Sequence, residues 1–179
     1  MKKIMMTACI GLAMFSTQAV AQDCGADLIK STPTARFVQA NDASEVFDIK
    51  TQLVWRRCAL GSVVNNGACV DDGAANKWNW LNVVRKPLPD ITAGGWRLPN
   101  IKELASITEA ACANPAINTA VFYDAPISGT YMSNTPSVNI AAQMKGVDIA
   151  TGNIKNINKT SAVSFKVVRV PTQIEIDSY

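Results

Sequence analysis

The chain predicts an α+β fold, on three observations. Two short helical segments fall near 74–86 and 100–108, with strand-like runs before them and a strand-rich second half. Acids thin out in that second half while Asn, Thr and Ser become common, the composition of turns and exposed strand faces. Four cysteines remain once an export signal is set aside, an even number that a small exported domain uses to bridge its own loops.

Residues 1–21 read as that signal. Met1-Lys2-Lys3 gives a positive start, Ile4 to Phe15 is mostly apolar, and Ala19-Val20-Ala21 fits a small-x-small cleavage site. Cys9 lies inside the signal, and Met6-Thr7-Ala8 before it does not make a lipid-attachment consensus. Cleavage leaves about 160 residues, one ordinary domain. No later stretch reaches the roughly 20 apolar residues of a membrane span. Cleavage also removes Lys2 and Lys3 from 17 bases set against 14 acids, so the net charge falls from +3 to +1. A nearly neutral domain has no global electrostatic attraction for nucleic acid. An exported product, periplasmic, surface-bound or extracellular, is therefore expected.

Cys24, Cys58, Cys69 and Cys112 allow three pairings. Cys58 and Cys69 bracket a short polar loop suited to a local clip, and Cys24 with Cys112 follows by elimination. On the chain-entropy view the short bridge stabilises by about 3 kcal/mol and the long one by about 4–5.

Taken in order, residues 22–43 form a leader held by Cys24, with a short strand near Arg36-Phe37-Val38. Glu45–Ile49 and Leu53–Arg56 read as a hairpin around Lys50-Thr51-Gln52, with Asp48 bonding the turn backbone. Residues 74–86 place Trp78, Leu81, Val84 and Arg85 at helical spacing, with Asp71-Asp72 ahead and Pro87 and Pro89 behind. Gly94-Gly95 makes a turn, and Trp96-Arg97-Leu98 runs extended into Pro99. Asn100 caps a second helix, with Glu103 three residues on and an apolar face of Ile101, Leu104, Ala105 and Ile107. Strands follow at 131–133, 142–149 and 163–170, with 150–153 as a hairpin turn returning through 154–157. Residues 171–179 read as a frayed tail.

The chain has no histidine, which removes the commonest general base and the commonest metal ligand. It has no Cys-x-x-Cys pair for zinc and no Ser-x-x-Lys motif for a nucleophile. The sparse acids, Asp71-Asp72 and Asp148 among them, do not make a calcium-ligand pattern. The expectation is a protein without enzymatic activity, metal or cofactor. Trp55 and Trp96 read as core residues and Arg97 as a structural partner of an acid; of Trp78 and Trp80, Trp78 is the one expected to be buried. Lys145, Lys155 and Lys159 on the late hairpin, with Lys166 on the next strand, form a candidate basic face for an anionic or sulfated glycan. The same lysines also suit protection of a sheet edge.

Several segments occur together in order: Asp48-x-Lys50-Thr51-x-Leu53-Val54-Trp55-x-Arg57-Cys58, the loop to Cys69, Trp96-Arg97-Leu98-Pro99-Asn100-x-Lys102-Glu103-Leu104, Asn114-Pro115-Ala116-Ile117-Asn118-x-x-Val121-Phe122, Gly146-Val147-Asp148-Ile149-x-x-Gly152-Asn153-Ile154 and Val167-Val168-Arg169. Across roughly 44–170 this resembles the Lcl C-terminal domain family. The resemblance implies an exported bacterial domain with a fold related to C-type lectins and to the formylglycine-generating-enzyme domain. Within that resemblance Trp55, Trp96, Arg97, Pro99, Asn100 and Glu103 are the structural motif. The family takes its name from an adhesin domain that binds sulfated glycosaminoglycans, so the resemblance implies adhesion to a glycan or other surface polymer. Three departures stand out: Gln52 at a turn-glycine position, Tyr131-Met132-Ser133-Asn134 for a Tyr-Trp-Ser-Ser stretch, and Asn156–Ser161 for an aromatic-rich run. The last two remove ring faces on which sugars stack. The rival expectation is a structural or accessory subunit of a surface appendage or envelope assembly, joined through a protein partner.

Overall fold

The computed structural model describes residues 22–40, 42–71, 78–85, 93–124 and 129–178. The expected export signal, Asp72, the expected helix start at 74–77 and Pro87 with Pro89 lie outside these residues. The fold is α+β, mainly antiparallel. One sheet joins β2 (Phe37–Gln39), β3 (Glu45–Asp48), β4 (Leu53–Arg56) and β11 (Val168–Arg169), in the order β11-β4-β3-β2. A second joins β8 (Thr130–Pro136), β9 (Gln143–Asp148) and β10 (Ile154–Asn158), with β9 in the middle. Two small pairs complete the set: β1 (Asp23–Cys24) with β7 (Cys112–Ala113), and β5 (Ser62–Asn65) with β6 (Ala68–Asp71).

Neighbouring strand residues are both buried, which explains why the sequence reads as apolar doublets rather than as alternation. Successive side chains point to opposite faces of a strand. Val46 pairs with Trp55, and both lie in one apolar cluster with Leu104, Ile107, Phe122, Tyr131 and Val147. Phe47 pairs with Val54, and both lie in a second cluster with Leu98, Met132, Met144, Ile157 and Phe165. Both main sheets thus have a core on each face. Gly146 on β9 marks the tightest contact: a Cβ there would sit 2.2 Å from Ile157 Cδ1 and 2.6 Å from the Tyr131 carbonyl oxygen.

Both expected disulfides are formed, Cys24–Cys112 and Cys58–Cys69. The first ties the leader to mid-chain through the β1–β7 pair, in which the two cysteines face each other. The loop inside the second is a hairpin, β5–β6, rather than an irregular clip. Its turn is Asn66-Gly67, both at positive φ (50° and 75°), the dipeptide that fits a tight two-residue hairpin turn.

Among the described residues three short helices are present, where two were expected. α1 (Trp80–Arg85) starts later than the periodicity suggested. Trp78 instead bridges Val163 in extended form, and Asn79 Oδ1 accepts from Asn82 N (2.9 Å) at the helix start. α2 (Ile101–Ser106) carries the full capping box, with Asn100 Oδ1 accepting from Glu103 N and Glu103 Oε2 accepting from Asn100 N. α3 (Gln173–Ile176) replaces the frayed tail. It is capped by Thr172 and held by Arg169, whose guanidinium binds Glu175 (2.6 and 2.8 Å) and Glu45 (2.8 Å). The last expected strand, 163–170, is shorter than read: Val163 and Ser164 make single bridges, and only Val168–Arg169 joins the sheet.

Gln52, the residue at the turn-glycine position, has φ 56°. A non-glycine residue in this left-handed region costs about 1–2 kcal/mol, against about 0.5–1 for the extra chain freedom glycine brings to the unfolded state. Gln52→Gly is therefore expected to stabilise by roughly 0.5–1 kcal/mol, read as a thermal midpoint about 1–4 °C higher.

Candidate functional site

The β9–β10 hairpin carries three of the four candidate lysines, and its register decides whether they act together. Asp148 closes the turn: its Oδ1 accepts from Ala150 N (2.9 Å) and its carbonyl from Gly152 N (2.7 Å). Residues directly opposite in an antiparallel pair share a face. Lys145 lies opposite Asn156, and Lys155 opposite Gly146. Lys155 and Asn156 are sequence neighbours, so Lys145 points to one face and Lys155 to the other. The ladder continues past the strand through Lys159 N to Ala142 O (2.9 Å), which keeps Lys159 on the Lys155 side.

Their partners differ as well. Lys155 Nζ is paired with Asp148 Oδ2 at 2.7 Å, and this pairing holds the Asp148 carboxyl below its usual range. Lys159 Nζ stands 5.0 Å from the Trp80 ring centroid. On the opposite face, the Lys145 side, Gln143 Nε2 donates to Asn158 Oδ1 (3.1 Å). Trp78 and Trp80 are both half-buried against the second cluster, so neither is the fully buried one.

Lys166 is not part of any exposed face. It is fully buried, with Nζ 2.5 Å from Asp124 Oδ1 and 2.5 Å from the Arg57 carbonyl oxygen. The rings of Phe122 and Tyr131 lie 5.1 and 5.4 Å away. Burial depresses its pKa, more than the Asp124 charge restores it. The proposed four-lysine surface is therefore corrected: one member is in the core, one is spent on an acid, and the remaining two face opposite ways. A lysine inside the apolar run Phe165-Lys166-Val167-Val168 was the sequence signal for a buried, partnered cation.

The structural motif behaves as read. Trp55 is fully buried and Trp96 nearly so, and Pro99 is buried. Arg97 grips Glu103 with two hydrogen bonds (2.7 and 2.8 Å), which raises the Arg97 pKa and lowers that of Glu103. The Arg56 and Arg169 guanidiniums each lie 5.1 Å from the Trp96 ring centroid.

Two polar centres carried no sequence signal. Glu109, 2 % exposed, accepts from Ser31 N (2.8 Å), Thr32 N (2.9 Å), Thr32 Oγ1 (2.9 Å) and Ala111 N (2.9 Å). Asp124 joins Lys166 to the Ala59 backbone N–H. Among the described residues no three Cys, Asp or Glu side chains gather as a metal site, and no helix is long and apolar enough to cross a membrane.

No curated protein and no solved structure matches the chain. The Lcl C-terminal domain profile matches residues 44–169, most of the chain and all of both main sheets except β2. The protein belongs to the Lcl C-terminal domain family.

Proposed function

We propose that this protein is an exported, non-catalytic binding module that contacts a glycan or another surface polymer at the far end of the β9–β10 hairpin. The observation that carries this reading is the Lys159–Trp80 stack, a cation held on a half-buried ring at the end of the hairpin. Cation and ring together supply two things a charged saccharide requires: an anion partner and an apolar face. Lys159 is held by a ring, whereas Arg36, Arg97, Lys155, Lys166 and Arg169 are each committed to a carboxylate.

Retention of the mature protein on heparin at low salt, falling as salt rises, is the expected result. Lys159→Gln is expected to weaken binding by about 2–5-fold, the worth of one exposed cation contact. Lys145→Gln removes the same charge from the opposite face and is expected to leave retention unchanged. Absence of retention at low salt, with no signal on an array of neutral glycans, overturns the reading.

One observation favours the rival, a structural or accessory subunit. β10 is an edge strand whose outer side pairs with nothing among the described residues, and Ile154 on it is half exposed. Such an edge accepts a strand from a partner. Crosslinking on intact source cells followed by size exclusion tests this: a monodisperse monomer with no crosslinked surface protein counts against it.

A further inference from the structure

We propose that Lys166 and Asp124 condense into an intramolecular amide, a covalent crosslink across the core between the segment after β7 and the segment before β11. The inference is independent of the glycan reading and rests on how the pocket satisfies polar groups. An ammonium carries three N–H donors and a carboxylate about four acceptor sites. Among the described residues the pocket offers the ammonium less. Lys166 Nζ meets Asp124 Oδ1 and one other acceptor, the Arg57 carbonyl oxygen, and its remaining surroundings are the Phe122 and Tyr131 rings. The second Asp124 oxygen meets the backbone N–H of Ala59. A secondary amide has one N–H and one C=O. With Oδ1 gone, its N–H keeps the Arg57 carbonyl and its C=O keeps the Ala59 N–H. The pocket is thus complementary to the product and, among the described residues, leaves the buried ammonium one acceptor short.

The same geometry serves the reaction. Nζ and the carboxyl are already in contact, so the condensation is intramolecular and needs no encounter. The site is dry at the nitrogen, since Lys166 is fully buried, and burial favours its neutral amine. A proton passes from the ammonium to the Asp124 carboxylate across their contact, and the amine lone pair then attacks Cγ. The Ala59 N–H, already on Oδ2, steadies the negative charge that develops on that oxygen. The Nζ–Cγ bond forms, the Cγ–Oδ1 bond breaks, and Oδ1 leaves as water with one proton from the acid and one from the amine. No oxidant or cofactor takes part. Tyr131 is placed to pass the proton. Its hydroxyl is buried, and burial first, then the Asp124 carboxylate beside it, raise its pKa.

Intact-mass measurement of the mature protein with both disulfides formed, followed by reduction and proteolysis, tests this. The expected result is a mass lower by one water and a branched peptide in which Lys166 is joined to Asp124. Lys166→Arg keeps the charge but cannot form this amide, and is expected to give the full mass with no branched peptide. Tyr131→Phe is expected to slow crosslink formation in freshly refolded protein by at least about 10-fold, in line with loss of a positioned proton donor. A linear Lys166 peptide in fully folded, aged protein, with its amine reactive once denatured, overturns the proposal. A water loss that maps to Asp124 alone, as a cyclised backbone imide, overturns it equally.

Discussion

Asp48→Ala and Asp48→Asn are each expected to lower stability by about 3–5 kcal/mol, the cost of leaving a buried charge without its partner. Asp48 has no exposed surface, and Arg36 is 6 % exposed. The two meet through a two-pronged contact: Arg36 Nε donates to Asp48 Oδ1 at 2.6 Å, and Nη2 to Oδ2. The same carboxylate accepts from Lys50 N (3.0 Å) and Thr51 Oγ1 (2.7 Å), so it also shapes the β3–β4 turn. Burial by itself raises the Asp48 pKa; Arg36 and Thr51 outweigh burial and hold it below the usual carboxylate value. Asparagine preserves volume and one turn acceptor but not the charge. If charge pairing dominates, the asparagine variant loses nearly as much as the alanine variant. Urea unfolding midpoints at unchanged slope measure both. Replacing both partners, as in Arg36→Met with Asp48→Leu, is expected to recover much of the loss, because the surviving charge is then gone. Additive losses in that double variant show that the turn contacts, not the ion pair, carry the energy.

The sequence made this pair half legible. Asp48 was readable as a turn residue because Asp bonds backbone amides two residues ahead, a local rule. Its second role needed Arg36, which reaches it only once β2 pairs with β3, and short-range patterns carry no information on that pairing. The same division runs through the rest of the chain. Asn100, Glu103 and the Gly94-Gly95 turn are local, and they fold as read. The Cys58–Cys69 bridge was also local, but the loop inside it was not read as a hairpin, although Asn66-Gly67 is a short-range signal for one. The error over 163–170 has another origin. Val163 to Val170 has strand-like residue types, but Phe165 and Val167 are buried in one cluster and Val168 in the other, and only Val168–Arg169 pairs regularly. The basic face failed because a count of lysines on a hairpin omits register. A one-residue offset between Lys145 and the position opposite Lys155 puts the two on opposite faces.

Acid sensitivity is expected to centre on Glu109. Its carboxylate gathers the Ser31, Thr32 and Ala111 amides, and through them fastens the leader to the turn after α2. Burial opposes its ionisation, but these backbone donors and the Thr32 hydroxyl win and hold its pKa down to about 2, against 4.5 in an unfolded chain. The folded state therefore binds the proton more weakly than the unfolded state. The stabilisation is complete above about pH 4.5 and is lost as the pH falls toward 2; it contributes about 2–3 kcal/mol at neutral pH. Glu109→Gln is expected to cost that amount at pH 7, since one end of the amide turns a donor toward donors. The gap between the parent protein and the variant should close steadily between pH 4.5 and 2, where the parent carries an uncharged carboxyl as well. Urea titrations across that range measure the gap. Limited proteolysis locates the effect: cleavage within residues 25–35 should rise first, while the Cys24–Cys112 bridge keeps the cut leader attached. A gap that stays constant down to pH 2 shows that Glu109 acts through shape, and that its charge contributes nothing to holding the leader.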